Sequence, residues 1–184
     1  MLEGWADDEL NTKTSEEMLN AYIDLYNSCI SGRPADMHLG VHLCRGNFKG
    51  SRHFSEGGYE RVAQRIFDNL NVDTFYMEYD TPRAGGFEPL RNLPKHKNVI
   101  LGVISSKTPK LEELETLKGR VYQAADIIAA GNSETREDAL KRMGVSPQCG
   151  FASHAEGNLI TKEDMIKKLQ LVRQLANEIW PGEP

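Results

Sequence analysis

A histidine and a cysteine stand two residues apart in GVHLCRGN, residues 40 to 47, a stretch that reads as an extended strand. Side chains alternate along a strand, so His42 and Cys44 leave the same face about 7 Å apart along the chain and can both reach one bound atom. Glu78 in FYMEYD and Cys149 in SPQCGF complete a set of nitrogen, oxygen and sulfur donors. Such a set suits a tetrahedral zinc ion and is too rich in thiolate for magnesium or calcium. Two thiolates and a carboxylate outweigh the charge of a zinc dication, which leaves the metal electron-rich and a poor Lewis acid for hydrolysis. The task it suits is holding an incoming thiol as a thiolate that stays nucleophilic at neutral pH. The expected reaction is alkylation of a thiol.

Donors so far apart in the chain need a scaffold that gathers them. TSEE gives Thr14 and Glu17 capping-box spacing, and Met18, Tyr22, Leu25 and Tyr26 then repeat at helical intervals until Gly32 and Pro34. A strand over HLGVHLC, the loop RGNFKGSRHFSEGG and a helix striped by Tyr59, Val62, Ala63, Ile66, Phe67 and Leu70 follow. The strand VDTFYMEYD leads into TPRAGGFEPLRNLPKHKN, whose prolines and glycines predict a loop without regular structure. VILGVIS, residues 99 to 105, is an apolar run of the kind buried on both faces of a parallel sheet. Its helix is expected over 110 to 130, with Leu111, Leu114, Leu117, Val121 and Ala125 inward, and a short helix at TREDALKRM precedes the strand GVSPQCGF. The last helix is predicted from Thr161 to Trp180, with Glu163 and Asp164 at its positive end and Pro181 closing it.

This order is a helix and then β-α four times, an α/β architecture with parallel strands. It is half of a (β/α)8 TIM barrel, a fold that takes about 250 residues. The 184 residues are read as one domain, 1–184. Active sites of such folds gather at the carboxyl ends of the strands, and there every strand offers a polar or metal-competent group: His42 and Cys44, Glu78, Ser105 to Lys107, and Cys149. Unpaired outer strands predict a chain that is marginal or aggregation-prone alone, and that forms a homodimer or pairs with a missing half-barrel.

Hydrophobic residues make up 39% of the chain and charged ones 27%, with a net charge of −5, as in ordinary globular proteins. The absence of a basic run argues against nucleic acid or an anionic membrane surface as partner. No apolar run approaches a membrane span and MLEGWADDEL is polar and acidic, so the cytoplasm is the expected compartment. Three cysteines, an odd number, make no disulfide framework, and Cys29 reads as a small buried hydrophobe.

HLC with a glutamate on the next strand, TPRAGG and above all GVSPQCGFAS resemble the C-terminal half of the cobalamin-independent methionine synthase superfamily, in its short single-barrel, methionine synthase II-like branch. LGVISSKTP supports the resemblance, which covers nearly the whole chain. It implies a zinc-dependent methyltransferase in which zinc (Zn2+) activates homocysteine, and homocysteine takes the methyl group of 5-methyltetrahydrofolate to give methionine. It also implies His42, Cys44, Glu78 and Cys149 as the metal ligands. In the methionine synthases proper the third of these strands runs into an Asp-x-His-Ser-Pro element, whose histidine gives a proton to the departing folate. Here SSKTP offers Ser105 and Lys107 instead, which implies a general acid of a different type or a different methyl donor; Lys107 is the candidate acid, provided burial or a neighbouring charge lowers its ordinarily high pKa. His154 in FASHAEGN is a second candidate acid or base.

Arg83 in DTPRAGG is a candidate two-pronged binder of a substrate carboxylate such as the glutamate tail of a folate. Asp80, two beyond Glu78 and on its face if the strand continues, is a candidate substrate-binding or ligand-orienting group. In the family much of the grip on homocysteine's amino-acid part and on the folate comes from the earlier half of the barrel, which has no counterpart here. A branch of the superfamily alkylates coenzyme M with similar zinc chemistry. Alkylation of another thiol such as coenzyme M, or a non-catalytic half-barrel that needs a partner, therefore stand as alternatives.

Overall fold

The computed structural model describes residues 9–48, 50, 52–152 and 156–183. The first helix, α1 (Ser15–Ile30), begins where the sequence predicts: the Thr14 hydroxyl accepts the Glu17 N–H at 3.2 Å while the Glu17 carboxylate accepts the Thr14 N–H at 2.7 Å. Its apolar stripe faces outward instead of into a core. Ile23 is buried, but Tyr22, Leu25 and Tyr26 are exposed, and so is Cys29, against the expectation of burial. The helix lies at the margin of the fold, tied down by Asn27, which donates to the Asn69 carbonyl and accepts the Asn71 N–H.

Four parallel strands follow, β1 (Gly40–Leu43), β2 (Thr74–Glu78), β3 (Asn98–Ile104) and β4 (Met143–Pro147), in the spatial order β1-β2-β3-β4. Helix α2 (Ala63–Asn69) joins β1 to β2. The long α3 (Leu114–Asn132) and short α4 (Arg136–Leu140) join β3 to β4, and α5 (Lys162–Ile179) closes the chain with a Thr161–Asp164 capping box. The β2–β3 crossover departs from the expected β-α repeat: two 3-10 turns, Pro82–Ala84 and Glu88–Asn92, replace both an α-helix and the featureless loop. Each turn carries proline in its first positions, where a fixed φ favours a turn and a missing N–H costs nothing. The sheet is open. The architecture is mixed α/β with a four-stranded parallel sheet, not a closed eight-stranded barrel.

The core lies on one face of the sheet. Phe75, Met77, Val99, Leu101 and Val103 pack there with Phe67 of α2, Leu117, Val121 and Ile128 of α3, and Leu171 and Leu175 of α5. Each large aliphatic or aromatic side chain so buried contributes about 1.5–3 kcal/mol. Leu111 is not among them and is 46% exposed, because α3 begins only at Leu114 after the extended Glu113. The opposite face is open: Tyr76 is 41% exposed and Ile100 half-buried. The expected burial of β3 on both faces therefore holds only for its second half, Leu101 to Ile104.

Candidate metal centre

Parallel pairing in register brings the carboxyl ends of all four strands to one edge of the sheet. His42 is the third residue of β1, and Cys44 follows directly after the strand. Glu78 ends β2 opposite Gly102 of β3, which itself lies opposite Ser146 of β4, and a register shift between Gly102 and Ile104 bends the β3–β4 ladder beside the site. Gly102 is needed there: a Cβ would stand 2.7 Å from the Gln148 Cα and 3.0 Å from the Met77 carbonyl oxygen. Cys149 enters two residues after β4.

The four donors converge. One ligand atom each from His42, Cys44, Glu78 and Cys149 lies within 4.8 Å of all the others. The Cys44 and Cys149 sulfurs are 3.7 Å apart, as are the Cys149 sulfur and His42 Nε2, and His42 Nε2 and Glu78 Oε1. A tetrahedron with metal–sulfur bonds of about 2.3 Å has a sulfur–sulfur edge of about 3.8 Å, so the spacing fits a zinc-sized cation. Glu78 supplies a second sign. It is fully buried, its Oε1 accepts the Arg45 N–H at 3.0 Å, and its Oε2 is buried with no hydrogen-bond partner. A buried carboxylate oxygen without a donor is costly, and a cation at this point removes the cost. The cluster can hold a metal ion.

Surrounding groups hold the donors in place. Tyr59 Oη accepts the Glu78 N–H at 3.0 Å and donates to the Leu43 carbonyl at 3.3 Å, which locks the ends of β1 and β2 together. On the other side Gln148 Oε1 accepts from the Ser106 N–H at 2.6 Å and from its hydroxyl at 2.9 Å, and Asn47 Nδ2 donates to the Gly150 carbonyl at 2.5 Å. Cys149 is thus held between β3 and the loop after β1. A longer relay steadies the end of β3: buried Lys168 on α5 pairs with Glu112 at 3.1 Å, and Glu112 accepts the Ser105 N–H at 2.8 Å.

The charges reflect the crowding. Burial, the Cys44 sulfur and Glu78 together push the Cys149 thiol up to about 11, so without a cation it keeps its proton. Burial likewise lowers the pKa of Lys107, partly opposed by Glu78. Lys107 is 3% exposed, and its ammonium donates to the Gly46 carbonyl and the Asn47 amide oxygen. Gly46 can offer that carbonyl because it adopts φ +96, a left-handed conformation natural to glycine. Burial also carries Tyr59 up to about 12, which keeps it a neutral hydrogen-bonding group.

An open pocket of about 230 Å³ lies against His42 and Cys149, with Tyr76, Ser146 and Gln148 in its wall, so these two donors can be reached from outside. A larger groove of about 380 Å³ between α1 and α2 is remote from them and lined by mixed charges. The remaining residues singled out in the sequence are arranged differently. Asp80 lies beyond the end of β2, so the alternation that was to place it beside Glu78 has stopped; both its carboxylate oxygens are buried without partners. Arg83 donates from Nη1 to His53 Nδ1 at 2.8 Å, while its Nε and Nη2 are buried without partners. His154 lies outside the described residues.

No family model matches. The uncharacterized proteins YxjG and YxjH of Bacillus subtilis (strain 168) are 39% and 41% identical to the chain over 168 and 155 of its residues. These stretches are 91% and 84% of the chain but only 42% and 38% of those proteins. A crystal structure of a candidate vitamin-B12 independent methionine synthase from Listeria monocytogenes superposes on 98% of the chain, with a TM-score of 0.67 and 30% identity. The chain's structural neighbours are vitamin-B12-independent methionine synthase-like proteins. A B12-independent methionine synthase from Shewanella sp. W3-18-1, in complex with selenomethionine, shares the fold at 18% identity, with a TM-score of 0.66 over 89% of the chain. Against these methionine synthase-like structures the chain covers 46% and 44% of the neighbour, and it spans about two fifths of the curated relatives. Among the described residues no helix is long and apolar enough to cross a membrane.

Proposed function

We propose that the chain carries the zinc centre of a thiol methyltransferase, in which homocysteine receives the methyl group of 5-methyltetrahydrofolate and becomes methionine. His42, Cys44, Glu78 and Cys149 would hold the metal. The observation that carries this reading is the convergence of these four donors within 4.8 Å, with one buried Glu78 oxygen left unpaired. When bound, zinc in so electron-rich a ligand set keeps a thiol deprotonated and nucleophilic at neutral pH. The thiol enters by the pocket beside His42 and Cys149.

Lys107, its pKa lowered by burial, gives the proton that the departing folate nitrogen requires, and His154 is the second candidate for that task. Arg83 and Asp80, with unsatisfied guanidinium and carboxylate atoms, bind the charged ends of the substrates. The rest of the substrate grip comes from a partner half-barrel. Support for that lies in the open edges of β1 and β4, in the exposed stripe of Tyr22, Leu25 and Tyr26, and in relatives more than twice as long.

The test has two stages. Protein from zinc-supplemented growth should carry about one equivalent of zinc, and less than about a tenth would refute the metal reading. Methionine formation from homocysteine and methyltetrahydrofolate is then assayed with the chain alone and with a separately supplied first half of a relative. Coenzyme M replaces homocysteine in a parallel arm. Turnover only with coenzyme M would shift the assignment to another thiol alkyltransferase, and zinc binding without turnover in any arm would leave a non-catalytic half-barrel.

A further inference from the structure

Arg45 follows Cys44 directly and is 5% exposed. Its Nη1 donates to Tyr59 Oη at 2.8 Å and to the Glu78 carbonyl at 3.1 Å, and its Nη2 donates to the carbonyls of Gly57 at 2.7 Å and Ala84 at 3.3 Å. The guanidinium carbon stands 4.1 Å from the centre of the Tyr59 ring. Every acceptor of this side chain is neutral, and among the described residues no carboxylate lies within ion-pair distance of it. A buried cation held only by neutral groups is expensive, because dipoles replace its hydration incompletely and no anion balances its charge.

The missing anion is next door. Two thiolates and a carboxylate carry three negative charges, and a dication leaves the loaded set with one in excess. Arg45 is joined to that set twice, through its backbone N–H to Glu78 Oε1 at 3.0 Å and through its guanidinium to the Glu78 carbonyl. The first bond occupies Oε1 and leaves Oε2 as the free oxygen. The second brings a permanent positive charge beside the ligand set. Lys107, another buried cation of the neighbourhood, donates to the Gly46 carbonyl and the Asn47 amide oxygen.

Resting on the metal reading above, we infer that Arg45 is a positioning residue of the metal centre: its fixed charge balances the excess negative charge of the loaded site, and its bonds to Tyr59 and Glu78 aim the Glu78 carboxylate. A purely structural staple would use the same hydrogen bonds, so the test separates charge from bonding. Arg45→Gln removes the charge and keeps polar reach; Arg45→Lys keeps the charge and loses the fork. Arg45→Met, which keeps the stem packed on Tyr59, takes the place of Arg45→Gln if the latter does not fold.

Zinc affinity is measured by competition with a chromophoric chelator, the cobalt(II) form is examined by its visible and thiolate charge-transfer bands, and the melting temperature of metal-free protein is recorded. The neutral variants should lose about 10- to 100-fold in zinc affinity, the scale found for groups that support metal ligands, and should show altered cobalt bands. Arg45→Lys should recover most of the affinity despite a lowered melting temperature without metal. A neutral variant that folds, binds zinc within about threefold of wild type and shows unchanged cobalt bands overturns the inference, since loss of a group that tunes the ligands has a larger effect. Equal loss in Arg45→Lys and Arg45→Gln overturns the role of charge. Wild-type protein that takes up neither zinc nor cobalt overturns the metal reading itself.

Discussion

Metal binding at this site should be strongly dependent on pH, and the geometry sets the least size of the effect. The Cys149 thiol is pushed up to about 11 by burial, the neighbouring Cys44 sulfur and Glu78, so at neutral pH it is protonated in the metal-free protein. It binds metal only as a thiolate, so each ion taken up displaces at least the Cys149 proton. Apparent affinity must then fall at least tenfold per pH unit. Between about pH 8 and pH 6 this is a loss of about 100-fold or more, or about 2.7 kcal/mol at 1.36 kcal/mol per unit. Chelator competition at several pH values, corrected for the chelator's own protonation, measures it directly. Thermal unfolding gives a second reading. Zinc held free at about 1,000 times its dissociation constant at pH 8 stabilises the fold by about 4.1 kcal/mol, and the same free zinc at pH 6 by at most about 1.4 kcal/mol. At about 2–4 °C per kcal/mol for a chain of this size, the zinc-induced rise in melting temperature shrinks from about 8–16 °C to about 3–6 °C or less. An affinity constant within about threefold over that range would mean that no thiol proton is displaced, and Cys149 would not be a ligand.

Three further substitutions probe the scaffold. Tyr59→Phe leaves the buried Glu78 N–H without its acceptor and should cost about 2 kcal/mol, seen as a melting temperature lower by about 4–8 °C. Gly102→Ala forces a Cβ against the backbone of Gln148, where no flexible side chain can yield; it should cost about 1–3 kcal/mol in urea unfolding. It should also weaken metal binding by displacing Cys149. Asp73 accepts from Arg33 at 2.5 and 3.1 Å and from the Leu39 N–H at 2.7 Å, and these bonds hold its carboxyl down to about 2. A depressed carboxyl pKa stabilises the fold above its unfolded value of about 3.9 and loses that contribution as pH falls toward about 2. Asp73→Asn should therefore be less stable than wild type by about 1 kcal/mol near neutral pH, a figure discounted for solvent screening, and the gap should close in urea titrations below about pH 3.

The parts of the fold legible in the sequence are those governed by local signals. Thr14 with Glu17 and Thr161 with Asp164 mark helix starts because the capping bonds are made within one turn. β3 is legible because its apolar run is continuous. Where tertiary packing decides, the sequence misleads. The stripe on α1 has helical spacing, yet Tyr22, Leu25 and Tyr26 are exposed, since periodicity reveals an apolar face but not what covers it. The helix striped from Tyr59 begins only at Ala63, and Tyr59 is instead drawn beneath Arg45 and Glu78. The donors could be found from strand alternation and the rule for strand ends. Alternation does not carry as far as Asp80, because β2 ends at Glu78. Arg45 carried one visible sign, a charge immediately after a donor at a strand end. Nothing local indicated that its partners would be Tyr59, Gly57 and Ala84.

His42, Cys44, Glu78 and Cys149 all come from three strands of one four-stranded sheet or the two residues that follow them, and the groups that hold them, Arg45, Tyr59, Asn47, Ser106 and Gln148, come from the loops at its edge. A centre whose donors and supports lie in one contiguous piece can be preorganised by that piece alone, because no bond that positions a donor has to wait for a second body. Substrate positioning has no such confinement. Tyr76 and Ile100 lie on the open face of the sheet, and buried atoms of Asp80 and Arg83 have no hydrogen-bond partner among the described residues. Metal affinity and methyl transfer should therefore be separable. If the first half of a relative is supplied in trans, zinc affinity should stay within about threefold of that of the chain alone, as expected when no support of a ligand changes, while turnover should depend on the added half. Zinc affinity that rose about 100-fold on adding the half-barrel would show the centre to be incomplete without it.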